Sequence, residues 1–225
     1  MTTAAADAAA AGPVPRPLTG IARTAARRMV AAWEAPVFHL GMDVSMTAAL
    51  AAKGDGITVS DLIVRACATA LVEHPAVNAY FADEAITVSD QVNVGLAVDT
   101  PKGLMVPVIY GADQLDLRGI AAARQDIVTR AHAGELKMAD ISGGTFTVSN
   151  LGMLGIDEFD AILNVPQVAI LAVGATKPAP VPYEGGLAWV PTARFTLTCD
   201  HRALDGATGA RFLGSLRRAL EEPQA

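Results

Sequence analysis

RFTLTCDHRALDG, residues 194–206, decides how the rest of the chain is read. RFTLTC, residues 194–199, reads as a strand. Asp200, His201, Arg202 and Asp205 follow at once, so the strand ends in a charged turn. Gly206 to Leu220 then reads as a closing amphipathic helix, with Ala207, Ala210, Leu213, Arg217 and Leu220 marking its turns. A histidine on such a turn can be held rigidly and still face a cleft. Neutral imidazole is the usual base for a thiol or hydroxyl near neutral pH. Asp205 is expected to fix the turn, partly through a salt bridge, leaving one ring nitrogen as an acceptor. On spacing alone a plainer reading stays open, in which His201 only caps the closing helix.

Upstream, GGTFTVSNLGMLG (residues 143–155) places a strand over 144–149, then Ser149 and Asn150, then glycines that let the backbone turn sharply. A hydroxyl at a strand end can donate to a developing oxyanion; the alternative is a plain turn serine. QVAILAVG, residues 167–174, is another strand. DTPKGLMVPVI (99–109) holds a short strand over 104–109, in which Pro107 implies an edge or a bulge. Gly103, with Leu104 and Met105, offers backbone against which a ligand chain can lie; a hairpin with an edge strand explains the segment equally well.

The remainder alternates helices and strands. Ile21, Ala25, Met29 and Ala32 space a helix over 20–33, and a strand is expected over 37–44. Ser60 is expected to cap a helix from Asp61 to His74, ended by Pro75. Residues 86–98 give strand material, and Leu115–Ala133 a helix with Gly134 at its C-cap. The expected fold is one mixed α/β domain over residues 18–225, with a largely antiparallel sheet, preceded by an Ala/Pro-rich flexible leader at 1–17.

Composition removes several classes. A formal net charge of -6 argues against a nucleic-acid partner. No apolar run reaches membrane-span length, and the start resembles neither a secretory signal nor a transit peptide, so a cytoplasmic, non-membrane protein is expected. Cys67 and Cys199 give neither metal spacing nor a disulfide framework. No metal is expected, and there is no GxGxxG, Walker loop, GxSxG or HExxH. Of the other histidines, His74 and His132 sit at helix ends, and His39 reads as a core or interface residue.

Four ordered blocks carry a family resemblance. DHRALDGATGARFL resembles the signature of the catalytic domain of dihydrolipoamide acyltransferases, the core subunits of 2-oxoacid dehydrogenase complexes. GGTFTVSNLGMLGIDEFDAILNVPQVAILAVGA, VNVGLAVDTPKGLMVPVI and TGIARTAARRMVAAWEAPVFHLGMDV resemble the same family's other blocks, and together they span Pro17 to Pro223. The resemblance implies the fold of chloramphenicol acetyltransferase, a mixed sheet flanked by helices, assembled as a homotrimer with each site at a subunit interface. It implies His201 as base, Asp205 as its motif aspartate, and Ser149 as the hydroxyl donor arriving from the neighbouring subunit. Gly103, Leu104, Met105 and Asn150 are the residues expected to contact the CoA substrate.

Two activities follow from the resemblance. The preferred expectation is a stand-alone enzyme that moves an acyl group, typically acetyl, from acyl-CoA to a small-molecule hydroxyl, as in tetronate or polyketide pathways. The alternative is the core of a 2-oxoacid dehydrogenase complex, passing acyl groups from dihydrolipoamide, on a lipoyl domain in trans, to CoA. No lipoate is expected on this chain. The chain's end at EEPQA gives the expectation of a trimer without a larger shell. The intact His201 speaks against a non-catalytic scaffold.

Overall fold

The structure is a computed structural model that describes residues 15, 17–18, 20–54 and 56–222. The expected leader lies almost wholly outside these residues, as do the last three residues of EEPQA. The elements are α1 (Gly20–Trp33), β1 (Val37–Ser45), α2 (Thr47–Ala51), α3 (Val59–Glu73), β2 (Ala79–Ala82), β3 (Ala85–Val88), β4 (Val94–Leu96), β5 (Val98–Thr100), β6 (Gly103–Met105), β7 (Val108–Ile109), α4 (Leu117–Ala133), β8 (Phe146–Asn150), β9 (Ala169–Val173), β10 (Lys177–Tyr183), β11 (Gly186–Asp200) and α5 (Gly206–Glu221).

The main sheet has the order β1-β11-β9-β8-β4-β7, with β10 paired to the first half of β11. β11 runs antiparallel to β1, β9 and β10, and β4 antiparallel to β7. β8 runs parallel to both β4 and β9. The sheet is therefore mixed, with its parallel pairs at the centre. Alternation gives each strand two faces. Phe146, Val148, Leu171, Phe195 and Leu197 pack in the principal core with Ile63, Leu71, Phe212 and Leu216 of α3 and α5. The other face carries Thr147, Ser149, Ile170, Ala172, Thr196 and Thr198. A smaller cluster of Ala32, Ala35, Leu163 and Ile170 covers part of it.

Several boundaries differ from the sequence reading. Thr58, not Ser60, caps α3: Asp61 Oδ2 accepts from the Thr58 amide at 2.7 Å and from its hydroxyl at 2.8 Å. The 86–98 segment divides among β3, β4 and the start of β5, because β2 and β3 form their own hairpin. Its turn residues, Asp83 and Glu84, both have positive φ, so the usual Asn-Gly signal is missing. Pro107 lies between β6 and β7 rather than inside one strand. β10 was not expected at all. Its prolines, Pro178, Pro180 and Pro182, lack amide donors, which is tolerated because β10 pairs only with β11. The helical stripe read on α1 is not a core stripe. Ala32 is buried, but Met29, Val30 and Trp33 are exposed.

Candidate active site

His201 lies just beyond the end of β11. Its amide donates to Pro36 O at 2.9 Å, continuing the β1–β11 ladder by one rung. Its ring packs against Phe38 at a centroid distance of 4.7 Å. Among the described residues the imidazole makes no hydrogen bond, and the residue is exposed. Both ring nitrogens are thus open to a substrate.

The charges around it are arranged differently from the sequence expectation. Asp205 makes no salt bridge with the turn. It is the N-cap of α5, and its Oδ1 accepts from the Thr208 amide at 2.7 Å. The Thr208 amide holds the Asp205 carboxyl below the usual aspartate range. The pair inside the turn is Asp200–Arg202, with 2.6 Å between Asp200 Oδ2 and Arg202 Nη2. Sequence reasoning placed both residues on the turn but gave neither a role. Their i, i+2 spacing about His201 was the available signal. Cys199, next to the turn, is buried, and burial pushes its thiol up to about 12, so it is no nucleophile near neutral pH.

Ser149 sits at the other end of the sheet. It pairs in register with Ala172 of β9, which pairs with Thr196 of β11. From Thr196 to His201 is five residues, roughly 17 Å along the strand, and two strand spacings add about 10 Å across. No rotamer closes that gap, so one chain does not bring Ser149 and His201 together. Of the residues expected to accompany Ser149, Asn150 is its neighbour on β8. Asn150 Oδ1 accepts from the Gly152 amide at 2.9 Å, which shapes the turn. The Ala97 amide donates to Val148 O at 2.9 Å, so the β5–β6 hairpin carrying Gly103, Leu104 and Met105 starts beside Ser149. Gly103 has φ +106, a conformation suited to glycine. The next loop folds back so tightly that a Cβ on Gly174 would stand 1.8 Å from Asp157 O.

The other histidines stay structural. His74 Nε2 is 2.8 Å from Ser215 Oγ, and His132 lies in the last turn of α4. His39 Nδ1 is 2.9 Å from Thr198 Oγ1 and lines a cleft of about 470 Å3 with Trp33, Val37, Asp160 and Ile162. Val37 pairs with Asp200, so this cleft reaches the end of β1 on the sheet face opposite the one where the His201 ring meets Phe38.

The mixed sheet, with α3 and α5 on one face and the end of α1 on the other, has the chloramphenicol acetyltransferase-like fold. Chloramphenicol acetyltransferase superposes with a TM-score of 0.55 at 14% identity, covering 86% of this chain and 94% of that one, which shows the shared fold alone. The family model of the 2-oxoacid dehydrogenases acyltransferase (catalytic domain) matches residues 12–225, and the chain belongs to that family. The dihydrolipoyllysine-residue acetyltransferase component of the mitochondrial pyruvate dehydrogenase complex of Schizosaccharomyces pombe is 40% identical, over 97% of this chain and 48% of that protein. The chain thus spans a third to a half of the length of such curated relatives.

A subunit of the cubic core of a pyruvate dehydrogenase multienzyme complex superposes with a TM-score of 0.89 at 31% identity, covering 98% and 97% of the two chains. The Azotobacter vinelandii dihydrolipoamide acetyltransferase gives a TM-score of 0.89 at 30% identity, with coverages of 98% and 97%. In that enzyme a serine, a histidine and an asparagine have been studied for their role in the catalytic mechanism. The preference for a biosynthetic hydroxyl acceptor finds no support among these relatives, which favour the dihydrolipoamide alternative.

Proposed function

We propose that this domain transfers an acyl group between a dihydrolipoamide thiol and the thiol of CoA, at a site shared between neighbouring copies in a homotrimer. One observation carries the reading. In the Azotobacter vinelandii enzyme the studied serine precedes the studied histidine by the same interval that separates Ser149 from His201, and the asparagine falls at the place of Asp205. Both motifs lie inside a family match that covers nearly the whole chain.

The chemistry needs two functions that one chain holds apart. His201 takes the proton of the attacking thiol, and the thiolate attacks the thioester carbonyl carbon. The carbonyl oxygen gathers negative charge, and the Ser149 hydroxyl of a neighbouring copy donates a hydrogen bond to it. The carbon–sulfur bond to the leaving thiolate then breaks, and the imidazolium returns the proton to that sulfur. No acyl-enzyme forms. On this reading Asn150 and the β5–β6 hairpin residues Gly103, Leu104 and Met105 contact CoA. Exposed Val30 and Trp33 on α1, and Met153 and Leu154 after Ser149, supply the apolar surface that contact between copies requires. A trimer closes identical heterologous contacts without an open edge.

The test is an acyl-transfer assay with acetyl-CoA, offering dihydrolipoamide and a panel of hydroxylated acceptors in parallel. Acetylated dihydrolipoamide is the expected product. Acetylation of hydroxyls alone would overturn the acceptor assignment.

A further inference from the structure

The Asp200 carboxylate is only 2% exposed, and the partners that hydrogen-bond it all belong to one residue two positions on. Oδ1 accepts from the Arg202 amide at 3.0 Å and from Nε at 2.9 Å, while Oδ2 accepts from Nη2 at 2.6 Å. The guanidinium carbon stands over a second element, 4.2 Å from the centroid of the Phe81 ring of β2. β2 is tied down in turn: the Phe81 amide donates to Pro166 O at 2.8 Å. The backbone between the two residues is pinned as well. The Asp200 amide donates to Val168 O at 2.9 Å, and Asp200 O accepts from the Ala203 and Leu204 amides at 3.1 and 3.0 Å. His201 therefore rises between two side chains fixed to each other, while its own ring rests on Phe38 and hydrogen-bonds to nothing in the described chain.

A ring without hydrogen bonds has no orientation of its own. Something must hold its backbone so that a nitrogen meets the substrate thiol. The Asp205 carboxylate makes no hydrogen bond or ion pair with His201; it caps α5. We infer that Asp200 and Arg202, braced by Phe81, are the positioning residues of this site, and that they act through His201 without touching substrate. The inference rests on the reading of His201 as the base. The brace needs arginine in particular. A lysine keeps the charge but has neither the planar fork that grips both carboxylate oxygens nor a flat face to lie on Phe81.

The test uses Arg202→Lys and Phe81→Leu, which retain charge and apolar bulk respectively, in the full chain. Each is made alone and in a His201→Ala background, with acetyl-CoA and dihydrolipoamide as substrates. With His201 present, kcat is expected to fall about 10–10²-fold, as for a misplaced reacting group, with both KM values nearly flat and Tm close to that of the parent. In the His201→Ala background the same changes are expected to have no further effect, because residues that act through one group are not additive. An equal fall in both backgrounds, or a change confined to KM for acetyl-CoA, would mean that Arg202 meets substrate directly and would overturn the inference. So would an unchanged kcat in both single variants while His201→Ala is inactive. An active His201→Ala protein removes the base reading itself, and the inference with it. If Arg202→Lys does not fold, Phe81→Leu alone decides the matter.

Discussion

Two strand ends carry the candidate chemistry, and they are built on opposite principles. The end of β11 is a charged turn: Asp200 and Arg202 lock together, and Asp205 caps the helix that follows. The end of β8 is an uncharged turn, shaped by the Asn150 side chain and by glycines that let backbone pass over backbone. Each is rigid by local means and needs nothing from the other. Their relative direction follows from the sheet. β8 is parallel to β9, and β9 is antiparallel to β11, so the C-terminal ends of β8 and β11 point to opposite edges. A chain that prepares two halves of a site so far apart is suited to complete them with another copy. The comparison teaches that "at a strand end" is half an address; the direction of the strand supplies the other half.

Removing the histidine bears most directly on the β11 end. On the proposed reading His201→Ala costs kcat about 10²–10⁴-fold, the range for a well-placed base. Steady-state kinetics that leave kcat within a few-fold of the parent would dismiss the β11 end as a catalytic half. Ser149→Ala should cost somewhat less, ~10²–10³-fold in kcat, with KM for acyl-CoA nearly flat, since an oxyanion donor strengthens only in the transition state. Mixing the two inactive proteins under conditions that exchange subunits should restore part of the activity. Verified mixed trimers with no recovery would show that the halves do not meet across copies.

How much of this was legible beforehand depends on which physical signal each element carried. Gly134 in the left-handed conformation at the end of α4 and Gly206 at the start of α5 sit where local chemistry put them. Ser149 and His201 were singled out by their turns. Pairing was not readable. Whether β8 meets β9 parallel or antiparallel depends on contacts distant in sequence, and with it goes the separation of the two residues. β10 hid because alternate prolines look like a linker until an edge position excuses their missing amides. The role of Asp205 was assigned by proximity in sequence to His201, whereas an aspartate at a β-to-helix junction has a nearer task. Its carboxylate meets the free amides of the first turn before anything else can.

A third prediction separates both halves from the scaffold. Asp61 is fully buried on α3 and receives Arg124 of α4 through Nε at 2.6 Å and Nη2 at 3.2 Å. Arg124→Ala leaves a buried carboxylate without its cation, a change that typically costs about 3–5 kcal/mol. Denaturant unfolding should show that loss, while kcat per folded molecule should change far less, the link to a strand end being the Asn150 Nδ2–Ser60 Oγ hydrogen bond at 3.4 Å beside Asp61. A kcat loss without destabilisation would mean that the α3–α4 contact governs the site.

The smallest effect concerns Asp205, and its sign is informative. The Thr208 amide favours the charged carboxylate, so the folded-state pKa is depressed below the ordinary aspartate value. A depressed carboxylate stabilises the fold above its unfolded pKa, near about 4, and that contribution fades as pH falls through the folded value. Asparagine accepts the same amide hydrogen as an N-cap nearly as well, whereas alanine does not. Asp205→Asn should therefore leave Tm at pH 7 almost unchanged, and Asp205→Ala should lower it modestly. As pH falls through the depressed folded value the parent should converge on the Asp205→Asn variant, because both then carry a neutral cap, while Asp205→Ala stays below them. If Asp205→Asn keeps its Tm but loses activity steeply, the residue does more than cap α5. The β11 end would then contain a second group acting on the substrate or on His201 once the neighbouring copy is in place.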